Sequence, residues 1–234
     1  MKDTAITLGH GSGGRQSADL VSHLLESFGK RGIGPEMEDA ALLPGGYAMT
    51  MDGFTVSPRR FPGGDIGHLC VCGCANDLAV RGASPDFLGI SLVLEEGISP
   101  EEVSSYMESA ASTCAELGMT LAAGDTKVVP SGAVEGMIIT GCAFGQIRTA
   151  RTLSMSSIRE GDALLVTTSV GRHGAAIASA RFNLPVEGLL SDCAPLWPAL
   201  SPLLHLEGLR CMRDCTRGGL GTVLCEWAEA SELH

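Results

Sequence analysis

Asn76 and Asp77 stand side by side in FPGGDIGHLCVCGCANDLAVRGA, residues 61–83, a stretch otherwise built mostly of small and apolar side chains. Leu69, Cys72, Ala75, Asn76, Ala79 and Val80 recur at near-helical spacing, and Asp65 is placed to cap such a helix. Asp77 is therefore expected on a largely buried helix, where an unpaired carboxylate is costly and calls for a cation or hydrogen-bond donors. Asp39, Asp52 and Asp125 sit at the edges of other expected elements, in MEDAALL, YAMTMDGFTV and LAAGDTKVV, and Lys127 follows the last of them by two residues. Hard carboxylate oxygens together with one lysine suit a magnesium-bound polyphosphate. Taken singly, each aspartate would pass for an ordinary turn residue or cap.

These residues need elements to position them. GHGSGGR at 9–15 is a glycine-rich turn opening onto a helix with Leu20, Val21, Leu24, Leu25 and Phe28 on one face. Its backbone amides are able to cradle phosphate, although no Gly-Lys-Ser/Thr follows as in a Walker A loop; a mobile N-terminal loop is the plainer alternative. Residues 38–43 and 47–56 read as strands, and 87–95 as a strong one. Ser99-Pro100-Glu101-Glu102 has the form of a capping box, and Val103, Met107, Ala110, Cys114 and Leu117 continue it as a helix. A short strand at 119–123 and a longer one at 134–145 complete a mixed α/β layer.

A boundary falls near residues 146–161, dividing the chain into 1–148 and 149–234. In the second part ALLVTTS (163–169) reads as a strand, Gly171-Arg172-His173-Gly174 as a turn into a helix, and 196–206 as a further helix. Arg217-Gly218-Gly219 opens a last helix carrying Leu220, Val223, Leu224 and Trp227. His173, between glycines, reads as a local turn residue.

Composition narrows the partners. A formal net charge of −11 over 234 residues argues against nucleic acid, whose phosphates need a concentrated basic surface. No apolar run reaches membrane-spanning length and the start has no signal-peptide core, so nine cysteines suggest reduced thiols in a cytoplasmic protein. Cys70, Cys72 and Cys74 invite a metal reading. On a helix, however, Cys72 points away from the 70/74 face, and no second CxxC or histidine pair completes a tetrahedral set. They are read as small core residues, as are Met49 and Met51.

GHGSGG at 9–14, EDAA at 38–41, FPGGDIG at 61–67, CANDLAVRGA at 74–83, LEEG at 94–97, GDTKVV at 124–129, HGAA at 173–176, SDCAPL at 191–196 and RDCTRGG at 213–219 together resemble the HypE family of hydrogenase maturation factors. That family lies in the superfamily of aminoimidazole ribonucleotide synthetase and selenophosphate synthetase. The resemblance implies a two-domain α/β (α+β) fold of the aminoimidazole ribonucleotide synthetase type. Residues 1–148 would form an ATP-binding mixed sheet with helices that makes a homodimer through a barrel-like pairing of sheets. Residues 149–234 would form a C-terminal α/β domain, incomplete here, closing over the nucleotide.

The implied reaction is ATP-dependent dehydration of a carboxamide on the sulfur of a C-terminal cysteine. It yields a thiocyanate for the cyanide ligands of a nickel–iron centre. The carbamoyl group would come from the carbamoyltransferase HypF, and cyanide would pass to a HypC–HypD complex. No cysteine of this chain stands at the carrier position, since Cys225 falls within an expected helix, so the chain is not expected to carry out the conversion on itself. Asp39, Asp52, Asp77 and Asp125 are assigned to Mg2+, directly or through water, and Lys127 to phosphate oxygens. Asn76 would fix the carboxylates, contact phosphate or hold a neighbouring loop; Gly11, Gly13 and Gly14 would offer amides. Asp214, Arg217 and Gly218 look like contributions of the second domain to ATP binding. A selenophosphate- or aminoimidazole ribonucleotide-forming enzyme, and a non-catalytic module that dimerises and docks on partners, are the alternatives.

Overall fold

Alternating apolar residues build a sheet whose covered face holds the site, and a computed structural model describes it for residues 5–31 and 38–233. After a first helix, α1 (Arg15–Leu25), come β1 (Ala41–Leu43), β2 (Tyr47–Phe54) and the short hairpin β3 (Arg60–Phe61) and β4 (Gly64–Asp65). Helix α2 (Ile66–Val80), β5 (Phe87–Glu95), α3 (Pro100–Leu117), β6 (Thr120–Val129) and β7 (Met137–Gln146) follow. The sheet order is β1-β2-β7-β5-β6, antiparallel except for the parallel pair β5–β6 that α3 connects.

Strand periodicity decides which face is covered. Ala48, Thr50 and Phe54 of β2 are buried, as are Met137, Ile139 and Ala143 of β7 and Leu88 and Leu92 of β5. All lie on the side where α2 and α3 pack. The other face is open: Tyr47, Met49, Met51 and Phe87 are exposed, and Tyr47 stacks on Phe144 at 4.9 Å between ring centroids.

Helix α2 is buried on nearly every side, from Ile66 and Cys70 to Leu78 and Val80. Asp65 caps it as expected, its carboxylate accepting from the amides of Gly67 and His68. Ser99 caps α3 by accepting from the Glu102 amide, but the Glu102 carboxylate turns outward to Arg59 and Tyr106 rather than back to the cap. Packing of α2 against α3 requires glycine at position 67, because a Cβ there would lie 1.9 Å from the Tyr106 carbonyl oxygen.

Past β7 the chain is helical and irregular: α4 (Arg172–Arg181), α5 (Trp197–Leu200) and α6 (Gly219–Ser231). Residues 163–169 are not a strand, contrary to expectation; Leu164, Leu165 and Val166 are exposed. A strand exists only by pairing, and no described segment pairs with this one. The helix expected at 196–206 breaks after Leu200 into a 3-10 turn, Ser201–His205, because Pro202 has no amide hydrogen to continue the ladder. Helix α1 forms as its periodicity predicts, yet none of its residues is buried.

Several contacts fasten this second part to the first, some of them through one ion pair of the first part. A buried ion pair joins Glu38 to Arg81 at 2.9 Å. Glu38 also accepts from the Ser154 hydroxyl and the Met155 amide, and Arg81 donates to the Leu153 carbonyl. Ala79 and Val80 of α2 pack against Leu200. Among the described residues no helix is long and apolar enough to cross a membrane.

Replacing Gly67 by Ala should force α2 and α3 apart. The expected loss is about 1–3 kcal/mol of unfolding free energy, as for other overpacked cores. Urea denaturation checks it; an unchanged midpoint would show that the interface accommodates the methyl group.

Candidate phosphate and metal site

Three chain segments bring carboxylates together. Asp39 lies just before β1, Asp77 in the last half of α2 and Asp214 ahead of α6; one oxygen from each falls within 4.8 Å of the others. Of the sequence candidates, then, Asp39 and Asp77 do meet, and Asp214 joins them as a third acid. Arg213 forms an ion pair with Asp39 at 2.7 Å and with Glu226 at 2.9 Å. Sequence reasoning missed Arg213, although its place directly before Asp214 was a usable sign.

The electrostatics follow from burial and repulsion. Burial, then the charge of Asp214, pushes Asp39 up to about 8, with Arg213 pulling the other way. Burial, then Asp214, pushes Asp77 up to about 9. Asp214 rises to about 6, chiefly through burial, with Arg213 opposing. The Thr50 hydroxyl lies 2.6 Å from Asp77 Oδ2 and 3.2 Å from the Asp39 carbonyl oxygen. The hydroxyl donates to the Asp77 carboxyl, which opposes the rise that burial causes. The buried Asp39 Oδ2 has no hydrogen-bond partner. Hard oxygens, an orphaned one among them, are a donor set that fits Mg2+.

The remaining candidates divide. Asp52, on the covered face of β2, is 3.7 Å from Arg217, and burial raises its carboxyl while Arg217 lowers it. Gly13 packs onto the Arg217 backbone, where a Cβ would come 2.9 Å from the carbonyl oxygen, so the glycine-rich turn does reach Arg217 and Gly218. The Gly13 amide, however, already donates to Ser17 Oγ. Gly11 and Gly14 have open space around them.

Both ends of the Asn76 side-chain amide are engaged by the neighbouring loop, one of the roles expected for it. Its amide nitrogen donates to the Ala194 carbonyl and its oxygen accepts from the Leu196 amide, so both ends hold the loop before α5. Asp125 and Lys127 are not brought to the acids within one chain. Both are exposed on the edge strand β6. Asp125 shares its rung with Ser91, Thr140 and Gly53, one residue out of phase with Asp52, and therefore points to the uncovered face. Three strand spacings, about 14 Å, also separate β6 from β2.

Comparison with known proteins identifies first the class. The AIR synthase related protein, N-terminal domain, matches residues 37–147, and the AIR synthase related protein, C-terminal domain, matches residues 159–234. Within that class, the carbamoyl dehydratase HypE of Escherichia coli (strain K12) is 38% identical over 235 residues, covering 96% of this chain and 70% of that protein. The crystal structure of a HypE–HypF complex superposes with a TM-score of 0.86 at 39% identity, over 91% of this chain and 70% of the matched one. That of a hydrogenase maturation protein HypE in complex with ATP gives 0.77 at 36% identity, over 97% and 69%. The chain belongs to the HypE family.

Raised carboxyl pKa values set a pH dependence. Asp39 and Asp77 titrate near 8 and 9 when folded but near 3.8 when unfolded, so the folded state holds protons that the unfolded chain releases. Stability of the metal-free protein should therefore fall as pH rises through that window. Added Mg2+ should flatten the fall by replacing those protons. Melting temperatures between pH 6 and 9, with and without Mg2+, check this; identical slopes would show that the ion does not bind the trio.

Proposed function

We propose that the chain uses ATP to dehydrate a carboxamide carried on a cysteine sulfur, leaving a thiocyanate. The observation that carries this reading is the acidic trio beside Arg213, placed where the glycine-rich turn meets Arg217 and Gly218. Family membership and the ATP-bound relative support it. An amide oxygen is a poor leaving group until it carries phosphate. Transfer of the γ-phosphoryl group to that oxygen, followed by loss of both amide protons and of phosphate, leaves the carbon–nitrogen triple bond with ADP and inorganic phosphate as co-products.

In this reading Asp39, Asp77 and Asp214 hold Mg2+, with Asp52 acting directly or through water. The bound ion would neutralise polyphosphate charge. Arg217 and the turn that holds Gly11 and Gly14 would face the phosphates, while Asn76 and Arg213 keep loop and carboxylates in register. Residues 1–148 form the binding and dimerisation part, and 149–234 cover it. HypF would supply the carbamoyl group, a HypC–HypD complex would take the cyanide, and the cytoplasm would be the compartment.

A homodimer completes the arrangement. The uncovered sheet face presents Tyr47, Met49, Met51 and Phe87, and β6 is an unpaired edge. Such surfaces favour a partner, and a second copy would meet Asp125 and Lys127 on the same face. The distance of these two from the trio within one chain is what a site shared between copies requires.

Calorimetric titration with ATP, with and without Mg2+, tests the site. Asp77→Asn should weaken Mg-ATP binding roughly tenfold or more while leaving metal-free ATP nearly unaffected; equal losses would sink the ligand role. An S-carbamoylcysteine peptide should stimulate ADP release, and stimulation by selenide or formylglycinamidine ribonucleotide instead would move the chain to another branch of the superfamily. Light scattering should give twice the chain mass at micromolar concentration, and a monomer would remove the shared site.

A further inference from the structure

Away from the carboxylates, on another side of α2, two sulfurs and an imidazole converge. His68 and Cys72 are one helical turn apart, and Cys193 reaches them from the loop before α5. A ring nitrogen of His68 and the two thiol sulfurs lie within 4.8 Å of one another. Cys72 Sγ is 3.4 Å from His68 Nε2. A tetrahedral zinc with bonds of about 2.0 Å to nitrogen and 2.3 Å to sulfur holds such atoms about 3.5 Å apart. The spacing is already that of two neighbouring ligands.

The histidine is oriented for this. Thr113, buried on α3, donates its hydroxyl hydrogen to the Ser109 carbonyl, so toward His68 Nδ1, 2.9 Å away, it accepts. Nδ1 therefore carries a hydrogen, and Nε2 is the nitrogen turned to Cys72 Sγ and to the Cys193 carbonyl oxygen, 3.2 Å away, to which it donates and from which zinc would take it. A partner on the far nitrogen is the arrangement that fixes ligating histidines. The loop is fixed as well: Ser191 Oγ accepts from the Cys193 amide and contacts His173 Nδ1 at 3.0 Å. A hydrogen bond from Cys72, then the neighbouring His68, holds Cys193 down to about 6 against the opposing effect of burial.

We propose that His68, Cys72 and Cys193 form a zinc site that joins α2 to the loop 191–196, with the fourth position open to water or to His173. Two thiolates and an imidazole suit a borderline-soft cation, not the hard Mg2+ proposed for the acidic trio. Zinc uptake releases the protons held on Cys72 and on His68 Nε2, and no electron transfer is involved. Its role is structural: it supplements Asn76 in holding the loop over α2, and it stands whether or not the chain binds ATP.

The test uses the whole chain, reduced and stripped with a chelator. Competition with a chromophoric chelator should find one Zn2+ per chain, and Co2+ at the same site should give thiolate charge-transfer and tetrahedral visible bands. Cys72→Ser and Cys193→Ser should each abolish both signals, whereas Cys215→Ser and Cys225→Ser should keep them. Asp77→Asn should also keep them, which separates this site from the trio. Thr113→Val, which leaves all three ligands in place, should weaken zinc about 10–100-fold. Absence of stoichiometric zinc, or zinc retained in the Cys72→Ser, Cys193→Ser double variant, overturns the proposal. So does a Cys72–Cys193 disulfide that resists reduction in the folded chain. Circular dichroism identifies any variant that fails to fold, in which case Thr113→Val decides.

Discussion

Three carboxylates brought within 4.8 Å of one another repel, and burial removes the water that would soften the repulsion. Among the described residues Arg213 is the cation paired directly with the group, and it is shared with Glu226. The nearby Arg81 is already matched by Glu38. The charge left over must be met by protons or by a cation. The shifts of Asp39, Asp77 and Asp214 are the proton answer; Mg2+ is the answer that a polyphosphate site uses. The same feature would make the metal-free protein sensitive to pH and, in the function proposed, would draw a divalent ion to the cluster.

Such a cluster survives only if its backbone cannot relax, and α2 supplies that rigidity. It is packed against the sheet on one side and against α3 on another, with Gly67 allowing the close approach. Toward the second part of the chain it presents Asn76, Ala79 and Val80, which hold the 194–196 loop and Leu200. Asp77 is thus positioned by packing on several sides rather than by its own hydrogen bonds. The Glu38–Arg81 pair fastens the Asp39 segment in the same way, its remaining polar contacts going to residues 153–155.

What was legible in the sequence is what local chemistry decides. Asp65 as a cap, the start of α3 at Ser99 and Pro100, and the alternation of β2 follow from spacing and residue type. ALLVTTS misled because an apolar run becomes a strand only with a neighbour to pair, and pairing is non-local. Asn76 was singled out correctly for its polarity in an apolar helix, but its partners lie about 120 residues downstream and no spacing rule reaches them. Cys72 shows the same limit: it was set apart from Cys70 and Cys74 by helical geometry, while Cys193, whose carbonyl contacts His68 across 125 positions, was invisible.

The most instructive displacement is that of Asp125 and Lys127. Their residue types suit a phosphate site, yet the sheet register turns them away from Asp52 and Asp77. A lysine and an aspartate on an exposed edge are also a common way to discourage unwanted strand pairing. That role accounts poorly for the rest of the face, where Tyr47, Met49, Met51 and Phe87 stay open to water. An edge guarded against association would not lie beside an apolar surface that invites it. The combination is coherent if the face is covered by a second copy, so that the two charged residues meet an oppositely built surface rather than solvent. On that view the register of β6 is not a failure of the sequence pattern. In the proposed homodimer it would mark the point where one chain stops being the unit that assembles the site.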